Sequence, residues 1–511
     1  MMDVQRASRA TTLTCCILGL GLIGSSCMEA RTIPNPNHCA NNDGDQWCAG
    51  LYPDGSRPYC ILGNGVCGPT DGQDGCVPER PEAACYSPCG GRSTIDENGD
   101  CLMEEESSGS SSGGTDTEES SGSTGSSTGP VPCMGNEDCT DAGAPFCEPA
   151  SGECVGCDGL DDGDGACAEL DASNPLCVAG ACVACTAEDT SVCDAQALVC
   201  DEESNGCVPC TEHDQCGDAA CNLFEGTCLP ADAVTRVGPG QEHTTLGAAV
   251  MSFPAGSEGT IIVFAGMPNY DEAVTVDGGR TLAFLANEGD LPRWALIGGG
   301  SPQLTVGDAT VLMDGIQVSG NAATGDPGVL VDGGRAWLDR SRIIQNAGGG
   351  IVAQNAGELV LRNCFVGGSV NNVAAFAVDS ATATVSYSTI IGGLGSTAES
   401  LACNPGSTVT VLDSVILLQS DNSPVTCDAA TFDHTASEMD LAGAANVNLG
   451  NFNDISPWFV NVGGGDFHLA TPPASISTAA LWTDGDPLVD IDGDARPGAD
   501  QVSDVAGADV P

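Results

Sequence analysis

In the second half of this chain one pattern returns every two dozen residues: an apolar residue, an interior residue three positions on, and a further apolar residue two beyond that. It occurs as Met313/Ile316/Val318, Leu338/Ser341/Ile343, Leu361/Cys364/Val366, Val385/Ser388/Ile390 and Val411/Ser414/Ile416, with steps of 25, 23, 24 and 26 between first members. The stretches between are short β-rich runs broken by Gly, Asn and Asp, which read as strands and turns. No single coil of that length can bury its inward face. The pattern therefore predicts a stack of three-stranded coils, about 4.8 Å apart, whose shared interior is the core. Eight positions beyond each first member stand Asn321, Asn346, Ser369, Gly393 and Gln419, a small or polar column expected to form a repeated left-handed turn. Ahead of the stack, Thr245 to Phe253 has helical spacing, with Leu246, Ala249, Val250 and Phe253 on one side. A helix there would cover the open end of the strands.

The first half obeys a different rule. Of 30 cysteines, 3 fall before residue 28, 8 between Cys39 and Cys101, 16 between Cys133 and Cys228, and only 3 in the coiled region. Both dense blocks hold even numbers and few aliphatic residues, so cross-links must replace a core that such short segments cannot build. The second block is a fourfold repeat opening at Cys133, Cys157, Cys185 and Cys210, each unit with four cysteines and hence three possible pairings. The doublets Cys154/Cys157, Cys182/Cys185 and Cys207/Cys210 have the spacing of zinc or redox motifs. One histidine in the block, His213, and the density of cysteines favour structural bridges instead. Ser107 to Pro130, within a linker of residues 103–132, is Ser, Gly, Thr and Glu almost throughout. Its 24 residues have a random-coil reach of roughly 25–30 Å and act as a spacer.

Charge restricts the partners. Asp and Glu number 71 against 14 arginines and no lysine, a net charge of -57. Nucleic acid and anionic lipid need Lys or Arg to neutralise phosphate, so both are excluded as ligands, whereas calcium and uncharged or cationic partners remain compatible. At the start, Arg6 and Arg9 precede an apolar run, Thr11 to Gly24, and the small residues Gly24, Ser25 and Ser26 lead to Cys27. The run is shorter than the roughly 20 residues needed to cross a bilayer and has the form of a secretory signal. Residues 1–26 resemble a bacterial lipoprotein signal, which implies lipidation at Cys27, export and a membrane link only through that N-terminal anchor.

Two further resemblances follow from named segments. DGDQWC and ACYSPCGG in residues 27–102, with the short repeats of 133–230, resemble cysteine-rich lipoproteins of myxobacteria. TTLGAAV, GMPNYDEAVTV and VDIDGDARPGAD in residues 231–511 are similar to the capping helix, first coil and closing segment of the pectin-lyase-like superfamily. That resemblance implies an all-β, right-handed parallel β-helix with an N-terminal capping helix, here preceded by disulfide-rich irregular repeats. The superfamily contains lyases, hydrolases, adhesins and inert stalks, so the fold does not settle function.

Candidate residues are few. Cys403 and Cys427 are one coil apart and are expected to form a disulfide, while Cys364 falls in the inward column as a buried thiol. Arg340, Arg362 and Asp413 occupy the outward positions where a polysaccharide lyase or hydrolase would place its groups, but no lysine or paired carboxylates accompany them. Arg362 over Asp339 reads as an exposed ladder pair of little value. No histidine has a placeable nucleophile. Asp490, Asp492 and Asp494, with Asp43 and Asp45 as a second instance, alternate as calcium ligands would. The sequence thus favours a non-catalytic surface protein offering a β-helix to glycans or other proteins, with an acidic-polysaccharide enzyme or a plain envelope spacer as alternatives.

Overall fold

The computed structural model describes residues 133–511 except 141, 142, 149, 267, 268, 369–371, 421 and 444, together with residues 48, 57, 59, 60, 76, 77, 94, 95, 101 and 102. Cys27, Asp43, Asp45 and the tether from Ser107 lie outside the described residues, as does Ser369. Two compact units divide at Ser126, and the cysteine repeats belong with the coiled region in the second. No helix among the described residues is long and apolar enough to cross a membrane.

Residues 234–448 form a parallel β-solenoid of about eight turns, each turn giving one strand to each of three sheets. The first sheet runs from Val234–Val237 to Ala430–Asp433 with nine described strands, the second from Val274–Val276 to Val425–Thr426 with seven, and the third from Arg293–Ala295 to Val447–Asn448 with eight. Stacking in register puts identical coil positions above one another. Phe284, Met313, Leu338, Leu361, Val385, Val411 and Phe432 are successive partners along the first sheet. Val318, Ile343, Val366, Ile390 and Ile416 do the same along the third. All ten residues of those two columns that the repeat identifies are buried in one continuous core. Between them the small column carries hydroxyls that satisfy backbone donors one coil back: Ser341 accepts from Ile316 N–H, Ser388 from Cys364 N–H and Ser414 from Ser388 N–H. Cys364 is a buried free thiol in that column.

Turn chemistry differs from the expectation. Left-handed backbone skips Asn321 and Asn346 themselves, falling one residue earlier at Gly320 and Gln345, and it recurs most regularly two residues beyond each first member, at Gly315, Arg340, Asn363, Tyr387 and Asp413, with φ between 42° and 71°. Four of these five are not glycine, a conformation that costs about 1 kcal/mol or more each and that the surrounding ladder enforces. The asparagines instead form an internal ladder. Asn346 accepts from Asn321 N–H at 3.1 Å and donates to Val318 C=O at 3.1 Å.

A helix, Leu246–Ser252, does lie near the start, with Thr245 accepting from Ala248 N–H as its N-cap. Leu246, Ala249 and Val250 join the core. The strand Val234–Val237 precedes this helix, so the first coil is already under way when the helix forms. At the far end the last strands are met by the loop 438–446. Asn446 donates to Phe432 C=O and accepts from Thr435 N–H, and Leu441 packs on the core. The remaining residues, 449–511, fold back outside the stack as two hairpins, Phe459–Asn461 with Asp466–Leu469 and Ala480–Trp482 with Val502–Asp504. Ile455, Phe459, Phe467, Leu469 and Trp482 pack there on Ile344, Phe365, Ile391, Val415 and Leu417 of the third sheet's outer face.

Each cysteine repeat is stapled in one way, first to third and second to fourth. The bridges are Cys133–Cys147 and Cys139–Cys154, Cys157–Cys177 and Cys167–Cys182, Cys185–Cys200 and Cys193–Cys207, and Cys210–Cys221 and Cys216–Cys228. The two members of every doublet therefore belong to different units and different bridges. Cysteine triplets such as Cys133, Cys139 and Cys154 have the proximity of metal ligands, but these thiols are disulfide-bonded.

Candidate functional site

Alternation along a strand should leave every second residue of the first sheet facing water. On this sheet the outer row includes Ala283, Leu312 and Trp337, and the fourth cysteine repeat covers it with Ala220, Leu223, Phe224 and Leu229. Phe224 meets Trp337 edge to face at 5.4 Å and Arg335 lies 4.0 Å above the Phe224 ring. Ala220 N–H donates to Thr260 Oγ1 at 2.9 Å in a buried contact, and Arg335 pairs with Glu225 at 2.9 Å.

Under that cover the next outward column, Asp314, Asp339 and Arg362, is buried rather than exposed. Arg362 donates to Asp339 at 2.5 and 2.9 Å and to Glu212 of the repeat at 2.8 Å. The ladder pair foreseen at the surface is thus a buried triad, because the repeat removes its water. Burial alone would lower the Arg362 pKa; the two carboxylates reverse that and raise it. Glu212 is raised, chiefly by burial, with Arg362 opposing. Arg340 reaches back to Asp314 through Nε at 2.8 Å and through Nη2. There too burial would lower the guanidinium and Asp314 overcomes it, raising the pKa.

Asp413 stands three coils beyond Arg340 on the same corner column, about 14 Å away at 4.8 Å per strand. It is covered by the C-terminal segment, accepting from Leu481 N–H at 2.8 Å and, through its C=O, from Gly507 N–H at 2.9 Å. Burial first, then the nearby Asp486, Asp433 and Asp504, push its carboxyl up to about 7. The structure therefore brings Arg340 and Arg362 together beside Glu212 and leaves Asp413 apart.

Asp490, Asp492 and Asp494 sit on one turn but face different ways. The buried Asp490 carboxylate accepts from Asp492, Asp494 and Val510 N–H at 2.8 to 2.9 Å, fastening the chain end. Asp492 pairs with Arg342 at 2.5 Å and with His468 at 2.7 Å, and Asp494 is exposed. The grouping with metal-like proximity takes Asp492 with His468 and Asp509 instead. Arg342 donates to Asp492 at 2.5 Å, and its guanidinium lies 3.4 Å from His468 Nε2, which brings positive charge to that spot. The hydrogen bond that His468 donates to the Asp492 carboxylate raises the His468 pKa to about 9 against the effect of burial, with Asp466 adding to it, and His468 in turn lowers Asp492. Cys403 and Cys427 are disulfide-bonded with Cα atoms 4.6 Å apart.

One concavity lies where these layers meet. A cleft of about 780 Å³ has the fourth repeat on one side, the loop 287–291 on another and the turn Ile491–Gly493 on a third, with Asp314, Arg340 and Arg342 on its floor. His213 lines it. The ring is buried and its Nδ1 accepts from Cys221 N–H at 3.2 Å, so the proton sits on Nε2; burial lowers its pKa and keeps it neutral. Sequence reasoning overlooked this cleft because its walls come from three distant segments. A signal for the covered face of the third sheet was present in Val415–Leu418, whose unbroken apolar run marks a strand buried on both sides.

Against known proteins, residues 116–234 match DUF8331, a family of unknown function. No curated protein matches. Among solved structures the chain is similar to the pectin methylesterase from Aspergillus niger in deglycosylated form, at 13% identity and a TM-score of 0.22, over 43% of this chain and 87% of that one.

Proposed function

We propose that this protein is an exported, non-catalytic surface protein, anchored by a lipid at Cys27, whose cysteine repeats carry a β-solenoid that binds glycans or partner proteins. One observation carries the reading. The outward positions suited to chemistry are engaged in holding the chain's own flanking segments against the solenoid: Arg362 clamps Glu212, and Asp413 receives Leu481 and Gly507. A guanidinium must lose its proton before it can act as a base, and the carboxylates beside Arg340 and Arg362 oppose that loss. Asp413 has a pKa suited to proton transfer near neutrality, yet it is only 7% exposed beneath the C-terminal segment, out of reach of a polymer.

The test is incubation of the full chain with a panel of acidic and neutral polysaccharides, assayed for unsaturated ends, reducing ends and released methanol, alongside binding of the same panel. Binding without product is the expected result. Sustained product release, abolished in Arg340→Ala, would establish the enzyme instead. Labelled palmitate incorporated by wild type and lost in Cys27→Ala would support the anchor.

A further inference from the structure

Within that reading, the cleft between the fourth cysteine repeat and the turn Ile491–Gly493 has features that select a ligand. Its floor offers donors with no protein acceptor among the described residues. His213 Nε2–H is one, since Nδ1 is already taken by Cys221 N–H and the residue is only 6% exposed. Arg342 Nε is buried without a partner, and Arg340 uses Nε and Nη2 on Asp314, which leaves Nη1. At the rim the situation reverses. Asp214 and Glu288 are exposed carboxylates with no ion-pair partner among the described residues. The arginines of the lining, Arg236, Arg340 and Arg342, are each already paired with a carboxylate.

A ligand for this cleft must accept from the floor and donate to the rim, and it meets unpaired charge of only one sign, negative. Anions are disfavoured in a chain of net charge -57 whose cleft has no uncommitted cation. Hydroxyl groups both donate and accept without carrying charge, and the apolar patch of Ile262, Leu285 and Ala286 suits the C–H face of a sugar ring. The volume of about 780 Å³ lies within the range of small-ligand sites, roughly 300–1,000 Å³. We propose that the cleft binds an uncharged, hydroxyl-rich oligosaccharide, held by His213, Arg340 and Arg342 at the floor and by Asp214 and Glu288 at the rim.

The experiment is calorimetric titration of the full chain with cellohexaose, xylohexaose, maltohexaose and hexagalacturonate, and with a lysine-rich decapeptide. At least one neutral hexasaccharide is expected to bind at least ten-fold more tightly than hexagalacturonate. The exposed double variant Asp214→Ala/Glu288→Ala should weaken that binding at least ten-fold with an unchanged melting temperature, and His213→Phe should weaken it through loss of the floor donor. Equal or tighter binding of hexagalacturonate, a double variant that binds like wild type, or no binding of any neutral sugar would overturn the assignment. So would binding of the decapeptide alone with loss in the double variant, which would give the cleft to a basic protein segment. Those outcomes leave the non-catalytic reading intact. That reading fails only on sustained product, followed by chromatography in the same samples.

Discussion

The cysteine repeats and the solenoid are both built from units of about two dozen residues, yet they are held together by opposite means. In the first two repeats, the cluster of buried apolar residues is Phe146 with Cys157 and Cys167, so the bridges themselves are the interior, while the fourth repeat buries its apolar residues only against the solenoid. In the solenoid, one continuous core runs from Val237 to Phe432 with a single disulfide, Cys403–Cys427, at its far end. Neighbouring coils bury each other's faces, which a repeat with no inward-facing strand cannot do. The lesson is that a short period fixes neither the source of stability nor the surface. What faces outward on the solenoid is decided by which of the other segments lies on it.

The largest effect that would test this contrast is reduction. Each of the eight repeat bridges closes a loop of 11 to 20 residues and contributes about 2–4 kcal/mol. With reductant, hydrogen exchange should show protection lost across residues 133–228 and retained across residues 304–432. Loss in both regions at once would mean that the solenoid leans on the repeats for its stability. Next is Arg362→Ala, which strands Asp339 and Glu212 beneath the fourth repeat. Breaking a buried pair in this way costs about 3–5 kcal/mol, to be read by urea unfolding, whereas Arg236→Ala at the exposed pair with Asp218 should cost under about 1 kcal/mol.

The C-terminal layer should respond to pH. Asp413 has its folded pKa raised to about 7 from 3.8, so its contribution is fully present below 3.8 and is lost as pH rises through about 7. Asp413→Asn, which still accepts from Leu481 N–H, should therefore be more stable than wild type by about 4 kcal/mol at pH 8 and close to it at pH 4, measured by thermal unfolding. His468 is raised to about 9 from 6.5, so its contribution holds below 6.5 and fades as pH rises through about 9. In the Asp413→Asn background, the remaining fall in melting temperature between pH 7 and 9.5 should shrink in His468→Gln. This is the smallest effect, since the ring is partly solvated.

Much of the solenoid was legible before any coordinates. The columns through Met313 and Val318 and the one-coil separation of Cys403 and Cys427 follow from a period that each coil repeats locally. The left-handed turn expected at Asn321 and Asn346 lies one residue earlier, at Gly320 and Gln345, because polar side chains suit both a turn and an internal ladder, and the more regular corner at Arg340 and Asp413 was missed. Arg340 and Tyr387, which adopt the left-handed backbone, carry no propensity for it. The cover over Arg362 was not legible either, although Val415–Leu418 hinted at the layer over the third sheet.

The sequence by itself determined the coil length, the inward columns and the even, stapled blocks, because these depend on residues within about 25 positions of one another. The tertiary structure alone decided that Arg362 would meet Glu212 across 150 residues, that Arg342 would meet Asp492 across another 150, and that a cleft would open between those contacts. Spacing repeats from coil to coil and is written along the chain. The choice of which outer face a folded-back segment covers depends on shape and burial that exist only once the stack has formed.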